Sequence, residues 1–284
     1  MVKAFVEMEG RPLDVAEVPH PQDTIDSITI LGGRGKSGEL EPIQRIDLRM
    51  GDVVSIVGPT GSGKTTLIND IELFADGATP TGRRVLINGE VPPTEYRDDP
   101  SRHPIALITQ NTTFLSDLPV RDFITIHAGI RQNEASRIQD TLAATLAFAN
   151  ELTGEPIPPD YRMTELSGGQ ARALLIADAT VVCETPIVLL DEVENAGIHR
   201  TRALELLRAH RKIFIFVTHD PRIALLSECR IVMQNGSMTQ VLHTDEEERE
   251  VSVRVNQLDD QLSQLRDKIR CGERLRVNQI PGWA

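Results

Sequence analysis

The sequence predicts an α/β fold built on a mostly parallel β-sheet, and three observations carry that expectation. Apolar runs of strand length recur along the chain: VVSIV (Val53–Val57), IALIT (Ile105–Thr109), IVLL (187–190) and KIFIFV (212–217). Unbroken runs of this kind belong to strands buried on both faces, as parallel strands are, rather than to the alternating pattern of a half-exposed antiparallel sheet. Segments of helical composition separate these runs, and strands alternating with helices give a parallel sheet with helices on its faces. The exception is RIVMQNGSMTQVL, where Asn235-Gly236 sits between two alternating apolar runs, a strong signal for a two-residue hairpin.

The elements follow in order. A helix is expected over about 64–74, directly after VVSIV, and a loop containing Gly77 and Pro80 ends it. RVLING reads as a strand running into a turn. Residues 120–152 have helical composition and stop at the Pro-rich loop GEPIPP, and a second buried helix is expected over about 168–182. The stretch 112–182 therefore reads as a helical insertion into the sheet. Another helix is expected near 198–209. The tail opens on the acidic run DEEERE and continues as a helix, with Gly272 suited to stop it. Leu258, Leu262, Leu265 and Ile269 fall on one face of that helix. Such a stripe can dock on the protein's own body, or it can meet a second copy or a partner.

Bulk properties narrow the function. The chain has 284 residues, 40% hydrophobic and 25% charged, which is enough for a sizeable core. No apolar run approaches the roughly 18 residues of a membrane span. MVKAFVEMEGRP turns acidic early and lacks the apolar core of a signal peptide, so a cytoplasmic protein is expected. Cys183, Cys229 and Cys271 lie far apart with no CxxC or Cys/His spacing, and are expected to be free thiols. The net charge of −12 opposes coating of a nucleic-acid duplex, although RGK (34–36) is a small basic group.

Three motifs carry chemistry. GPTGSGKTT (58–66) satisfies G-x-x-x-x-G-K-[ST] between a predicted buried strand and a helix, the context that the motif needs. Its glycines let successive backbone N–H groups turn inward around a phosphate, and the helix N-terminus adds its dipole. The Lys64 ammonium can reach β- and γ-phosphates, and the Thr65 hydroxyl can ligate Mg²⁺. LSGGQ (166–170) places Ser167 as an N-cap ahead of exposed glycine N–H groups, which makes a second half-site for anions. IVLLDE places Asp191 and Glu192 at the end of an apolar strand.

With Gln110 following IALIT, and His219 in FIFVTHD, these motifs stand in the order found in the ATP-binding cassette (ABC) ATPase family, which residues 26–243 resemble. The resemblance implies a P-loop NTPase sheet with an antiparallel β subdomain and a helical subdomain (about 112–182), flanked by extensions at 1–25 and 244–284. It implies ATP and Mg²⁺ as cofactors. Gly58, Pro59, Thr60, Gly61, Ser62, Gly63, Lys64, Thr65 and Thr66 match the phosphate loop. Ser167, Gly168, Gly169 and Gln170 match the segment that closes over ATP held by a second copy, paired head to tail. Asp191, Thr65 and Gln110 match the residues around Mg²⁺, with Gln110 also linking the attacking water to the helical lobe. Glu192 matches the acid that orients or activates the attacking water, and His219 the histidine that contacts the γ-phosphate.

The resemblance further implies a separate partner subunit. One reading makes the chain the energy subunit of a transporter with a membrane-embedded partner, met by the segment NTTFLSDLPVRDFI. The other makes it a soluble ATPase serving a machine such as cofactor or metal-cluster assembly, or enzyme activation. The sequence also departs from the family. No aromatic residue lies in ITILGGRGKSGELEP (28–42), where one usually stacks on adenine; Arg34 can stack in its place, or base selectivity is relaxed. After Glu192, the family's Pro-Thr and following aspartate give way to VENAGI and His199, in a segment that couples the two sites of the dimer.

Overall fold

The computed structural model describes residues 25–276 apart from 101, 132–134, 154, 193–206 and 208–209. The helix expected near 198–209, the His199 segment and the N-terminal extension thus lie outside the described residues, Leu207 and Ile25 excepted.

A six-stranded sheet runs through the molecule in the order β5-β6-β7-β3-β8-β9. Its strands are β3 (Val53–Val57), β5 (Ile105–Thr109), β6 (Ile187–Asp191), β7 (Ile213–Val217), β8 (Cys229–Gln234) and β9 (Ser237–His243). The first five pair in parallel, and β8 and β9 form the antiparallel hairpin. Asn235 and Gly236 both take positive φ, 49° and 82°, as a two-residue turn matched to the strand twist requires. A separate antiparallel sheet, ordered β2-β1-β4, comprises β1 (Ser27–Leu31), β2 (Arg45–Arg49) and β4 (Arg84–Ile87). In β2, the sequence RIDLR buries Ile46 and Leu48 and exposes the residues between them.

The apolar runs of the parallel strands divide between two cores. Ile187, Leu189, Ile213, Ile215 and Val217 pack with the antiparallel sheet and with α1 (Lys64–Glu72). Their neighbours Val188, Leu190, Phe214 and Phe216 pack on the opposite side, with the helical layer. Side chains alternate across a strand, so an unbroken apolar run is what a sheet covered on both faces demands.

The helical layer holds α3 (Val120–Arg131), α4 (Ala135–Leu152) and α5 (Gly168–Ala177), while the short α2 (Glu95–Asp98) lies outside it. The helix expected to reach about 182 changes character at its end: residues 178–182 form a π-helical turn. The helix expected to reach Phe74 closes at Glu72, and Phe74 takes a φ of 49° on entering the loop.

After α6 (Pro221–Leu226), the tail forms α7 (Glu246–Arg270), whose N-cap is the Asp245 carboxylate accepting from Glu248 N–H at 2.8 Å. Gly272, at a φ of 77°, follows the helix end as expected. The helix packs on α6, which it meets through an Arg222–Asp259 ion pair, and an Arg230–Glu248 ion pair at 2.5 Å ties it to β8; Ser252 on this helix is buried. The leucine stripe is not what docks: Leu258, Leu262 and Ile269 stay more than half exposed.

Candidate functional site

The phosphate loop turns sharply between β3 and α1. Gly58, Gly61 and Gly63 take φ values of 152°, 77° and 100°, and Gly63 is the left-handed residue directly before the helix. Two of these glycines are also required by close approach. A Cβ on Gly58 would stand 2.3 Å from the Met233 carbonyl oxygen, and one on Gly63 would stand 2.9 Å from the Gly236 Cα. The β8–β9 hairpin therefore braces the loop from behind, and Gly236 N–H donates to the Ser62 carbonyl at 2.8 Å. Pro59, Thr60, Gly61, Thr65 and Thr66 are exposed around the cradle. The Lys64 ammonium donates to the carbonyls of Gly58 and Pro59 at 2.9 and 3.2 Å.

The order β6-β7-β3 lines up the ends of three strands beside this loop. Asp191 pairs in register with Val217 and with Thr109, and Ile56 pairs with Val217. Gln110, Asp191, Glu192 and His219 thus leave adjacent strands at the same edge as Gly58, where open α/β sheets hold their ligands. Glu192 N–H donates to the Val217 carbonyl at 3.0 Å, and Glu192 takes a φ of 50°, a left-handed conformation that a glutamate rarely adopts. Gln110 and His219 are exposed.

The second half-site sits on the helical layer. Ser167 caps α5 with a reciprocal pair: Gln170 N–H donates to Ser167 Oγ at 3.3 Å, and Ser167 N–H donates to Gln170 Oε1 at 3.0 Å. Gln170 is buried and also donates to the Pro156 carbonyl at 3.0 Å, so its side chain is engaged within its own chain. Ser167 and Gly168 remain on the surface.

Sequence reasoning missed the residues that hold these pieces together. The Arg83 guanidinium, fully buried, pairs with Glu41 at 2.5 Å and Asp70 at 2.9 Å and donates to the Gly236 carbonyl at 2.7 Å. Glu41 in turn accepts from the N–H groups of Gly33 and Met238. One ion cluster thereby joins the antiparallel sheet, α1 and the hairpin behind the loop. Lys36, from the RGK group, donates to the Gly61 carbonyl at 2.7 Å. Arg172, on α5, donates to the Gln110 carbonyl at 2.8 Å and ties the helical layer to the strand end. No sequence spacing reveals these contacts, because the partners lie far apart along the chain. Arg34, the alternative to the absent aromatic, is exposed, and its guanidinium donates to the Gly38 carbonyl at 2.8 Å.

The residues fit the expected cofactors. The loop's glycines hold the positive-φ turn of a phosphate cradle braced by the hairpin, and buried Ser62 Oγ has no hydrogen-bond partner among the described residues. Thr65, Gln110 and Asp191 supply only hard oxygen donors, the set that suits Mg²⁺.

Residues 44–195 match the family model described as "ABC transporter". The chain belongs to that family. An uncharacterized ABC transporter ATP-binding protein from Methanocaldococcus jannaschii is 50% identical over 256 residues, 90% of this chain and 97% of the relative. A spermidine/putrescine import ATP-binding protein from Borreliella afzelii is 29% identical, and the match spans 57% of its length. Among solved structures, cbiO1 from Clostridium perfringens, part of an ABC transporter complex, aligns with a TM-score of 0.62 at 20% identity, covering 84% of this chain and all of that one. An ATP-binding cassette solved as a dimer after hydrolysis, with ADP and phosphate, aligns at 0.56 and 20% identity, over 77% and 99% of the two chains. At these identities the likeness establishes the fold. This ABC protein is an ATPase of the P-loop type.

Proposed function

We propose that this ABC ATPase powers a transporter, as the energy subunit bound to a separate membrane-embedded partner. Two copies pair head to tail around two Mg–ATP, each contributing its phosphate loop to one site and Ser167, Gly168 and Gly169 to the other. The observation that carries the site is the alignment of Gly58, Gln110, Asp191, Glu192 and His219 along one sheet edge.

Each residue then has a chemical task. The inward N–H groups of the loop bind phosphate oxygens, and Lys64 releases its bonds to the Gly58 and Pro59 carbonyls to pair with the β- and γ-phosphates. Thr65, Asp191 and Gln110 would hold Mg²⁺, with Asp191 acting through water. Bound there, the ion would supply neutralisation of the charge that develops between the phosphates. Glu192 orients or activates the attacking water, and His219 contacts the γ-phosphate from the neighbouring strand end. Because Gln110 is bound through its backbone to Arg172, a shift there is passed to α5, which carries the second half-site.

The transport reading is supported by the name of the Methanocaldococcus jannaschii relative, which matches over nearly its whole length. It is also supported by exposed apolar residues downstream of Gln110: Leu115, Leu118, Ile126 and Ile130 are all more than 40% exposed. These lie on and before α3, where a membrane subunit is expected to dock. No helix among the described residues is long and apolar enough to cross a membrane, so the spanning part is assigned to the partner, with this chain on the cytoplasmic side. Affinity capture of the Glu192→Gln variant with ATP from the native membrane and soluble fractions tests the reading. Recovery of a protein with several apolar 20-residue segments is expected. Recovery of soluble partners alone overturns it in favour of a non-transport machine.

A further inference from the structure

A second chemical cluster lies in the helical layer. His127 on α3, Asp178 and Cys183 place one ligand atom each within 4.8 Å of one another. The imidazole Nδ1 stands 2.8 Å from Asp178 Oδ1, and Cys183 Sγ lies 3.9 Å from His127 Nε2 and 3.8 Å from Asp178 Oδ2. The backbone is shaped to bring them together. Asp178 and Cys183 are five residues apart, which in a regular α-helix puts side chains about 140° apart at roughly 100° per residue. Here the π turn over 178–182 intervenes, and Cys183 N–H donates to the Asp178 carbonyl at 2.9 Å. That i→i+5 bond stacks the carboxylate and the thiol on one side, facing α3. Such single π turns cost helix regularity and are frequent at functional sites.

We propose that His127, Asp178 and Cys183 form a binding site for a thiophilic divalent cation of the Zn²⁺ type. One nitrogen, one oxygen and one sulfur donor form a mixed set that suits Zn²⁺ and excludes Mg²⁺ and Ca²⁺, which take oxygen. Ligands on tetrahedral Zn²⁺, at about 2.0–2.3 Å from the metal, stand roughly 3.3–3.8 Å apart. One donor atom from each residue here lies within 4.8 Å of the others, so side-chain adjustments of about 1 Å close the site. The metal takes the place of the proton shared between Nδ1 and Oδ1 and of the thiol proton, and both protons leave to solvent. The His127 and Asp178 side chains are 25% and 12% exposed, so the ion has a path in and water a place in the fourth position. Bound there, it staples α3 to the far end of the helix that begins at LSGGQ. The site shares no residue with the ATP machinery and does not depend on the transport reading.

The test uses the full chain, freed of metal and without nucleotide. Titration with Co²⁺ is expected to raise a thiolate-to-cobalt charge-transfer band that saturates at one equivalent and is abolished by Zn²⁺. Cys183→Ser removes the band, whereas Cys229→Ser and Cys271→Ser retain it. Asp178→Asn, which leaves the thiol in place, weakens Co²⁺ binding by at least the roughly 10-fold that loss of an outer-shell partner costs. In the unsubstituted chain, where no variant need fold, Zn²⁺ protects Cys183 from alkylation as read by peptide mass spectrometry and leaves exposed Cys271 reactive. A missing band, a band that survives Cys183→Ser, or equal alkylation of Cys183 with and without Zn²⁺ overturns the site.

Discussion

Arg83 is the residue on which the geometry behind the phosphate loop turns. Its guanidinium and the Glu41 carboxylate have no exposed side-chain surface, and Asp70 has 6%. Removing one member of a buried ion cluster leaves the others charged and unpaired, which costs about 3–5 kcal/mol. Arg83→Met is therefore expected to lower unfolding stability by that amount in urea titrations; a loss below about 1 kcal/mol would show that the cluster is solvated. The base of the nucleotide is the other question at this scale. No aromatic lies over 28–42 to supply the stacking worth about 1–3 kcal/mol at nucleic-acid sites, and the Arg34 guanidinium is bonded to the Gly38 carbonyl. Competition binding at equal concentrations is expected to give only a weak preference for ATP over GTP; a strong preference contradicts it. Whereas Asp191, Glu192 and His219 were singled out by the family resemblance, the glycine turn of the loop and the Ser167 cap were legible in the sequence because their spacing encodes backbone geometry. Arg83, Lys36 and Arg172 were not, because a charge that is buried or bridging looks in sequence like any solvated one.

At the scale of elements, the parallel strands were readable because burial on both faces forces an unbroken apolar run. The π turn was not, since α and π turns draw on the same residues and differ only in one hydrogen-bond step. The leucine stripe of α7 is regular, but ion pairs from Arg222 and Arg230 select a different face for docking. The entry to β7 holds a testable strain. Lys212 is buried and donates to the Thr185 carbonyl at 2.9 Å, and burial lowers its ammonium from the ordinary 10.5 to about 8. Between those values the unfolded chain binds more protons than the folded one, so stability rises with pH, by at most about 1.4 kcal/mol per unit. The burial penalty is present in full below about 8. Two groups act in the opposite sense: His127, held up from 6.5 to about 10 by its bond to Asp178, across all of pH 8–9, and Cys229, pushed by burial from 9.0 up to about 11, above pH 9; the Lys212 contribution is therefore read as a difference between the native and substituted chains. Urea titrations at pH 8 and 9 are expected to give a change in stability that is more positive for the native chain than for Lys212→Met, by at most about 1.4 kcal/mol. An equal change in both shows that Lys212 contributes none of it.

For the whole molecule, the sheet order gathers five pieces of chemistry onto one edge and leaves the second half-site on the outer surface of the helical layer. That division makes sense when the missing half of each site comes from another copy. The order of strands was not legible in the sequence, because β5, β6, β7 and β3 follow a spatial order that no local pattern specifies. The most direct measurement is sedimentation velocity of Glu192→Gln with and without Mg–ATP. A monomer without nucleotide that becomes a dimer holding two ATP, with the shift abolished by adding Ser167→Arg, is the predicted result. A species that stays monomeric at saturating Mg–ATP, or dimerises equally with Ser167→Arg, contradicts the head-to-tail account.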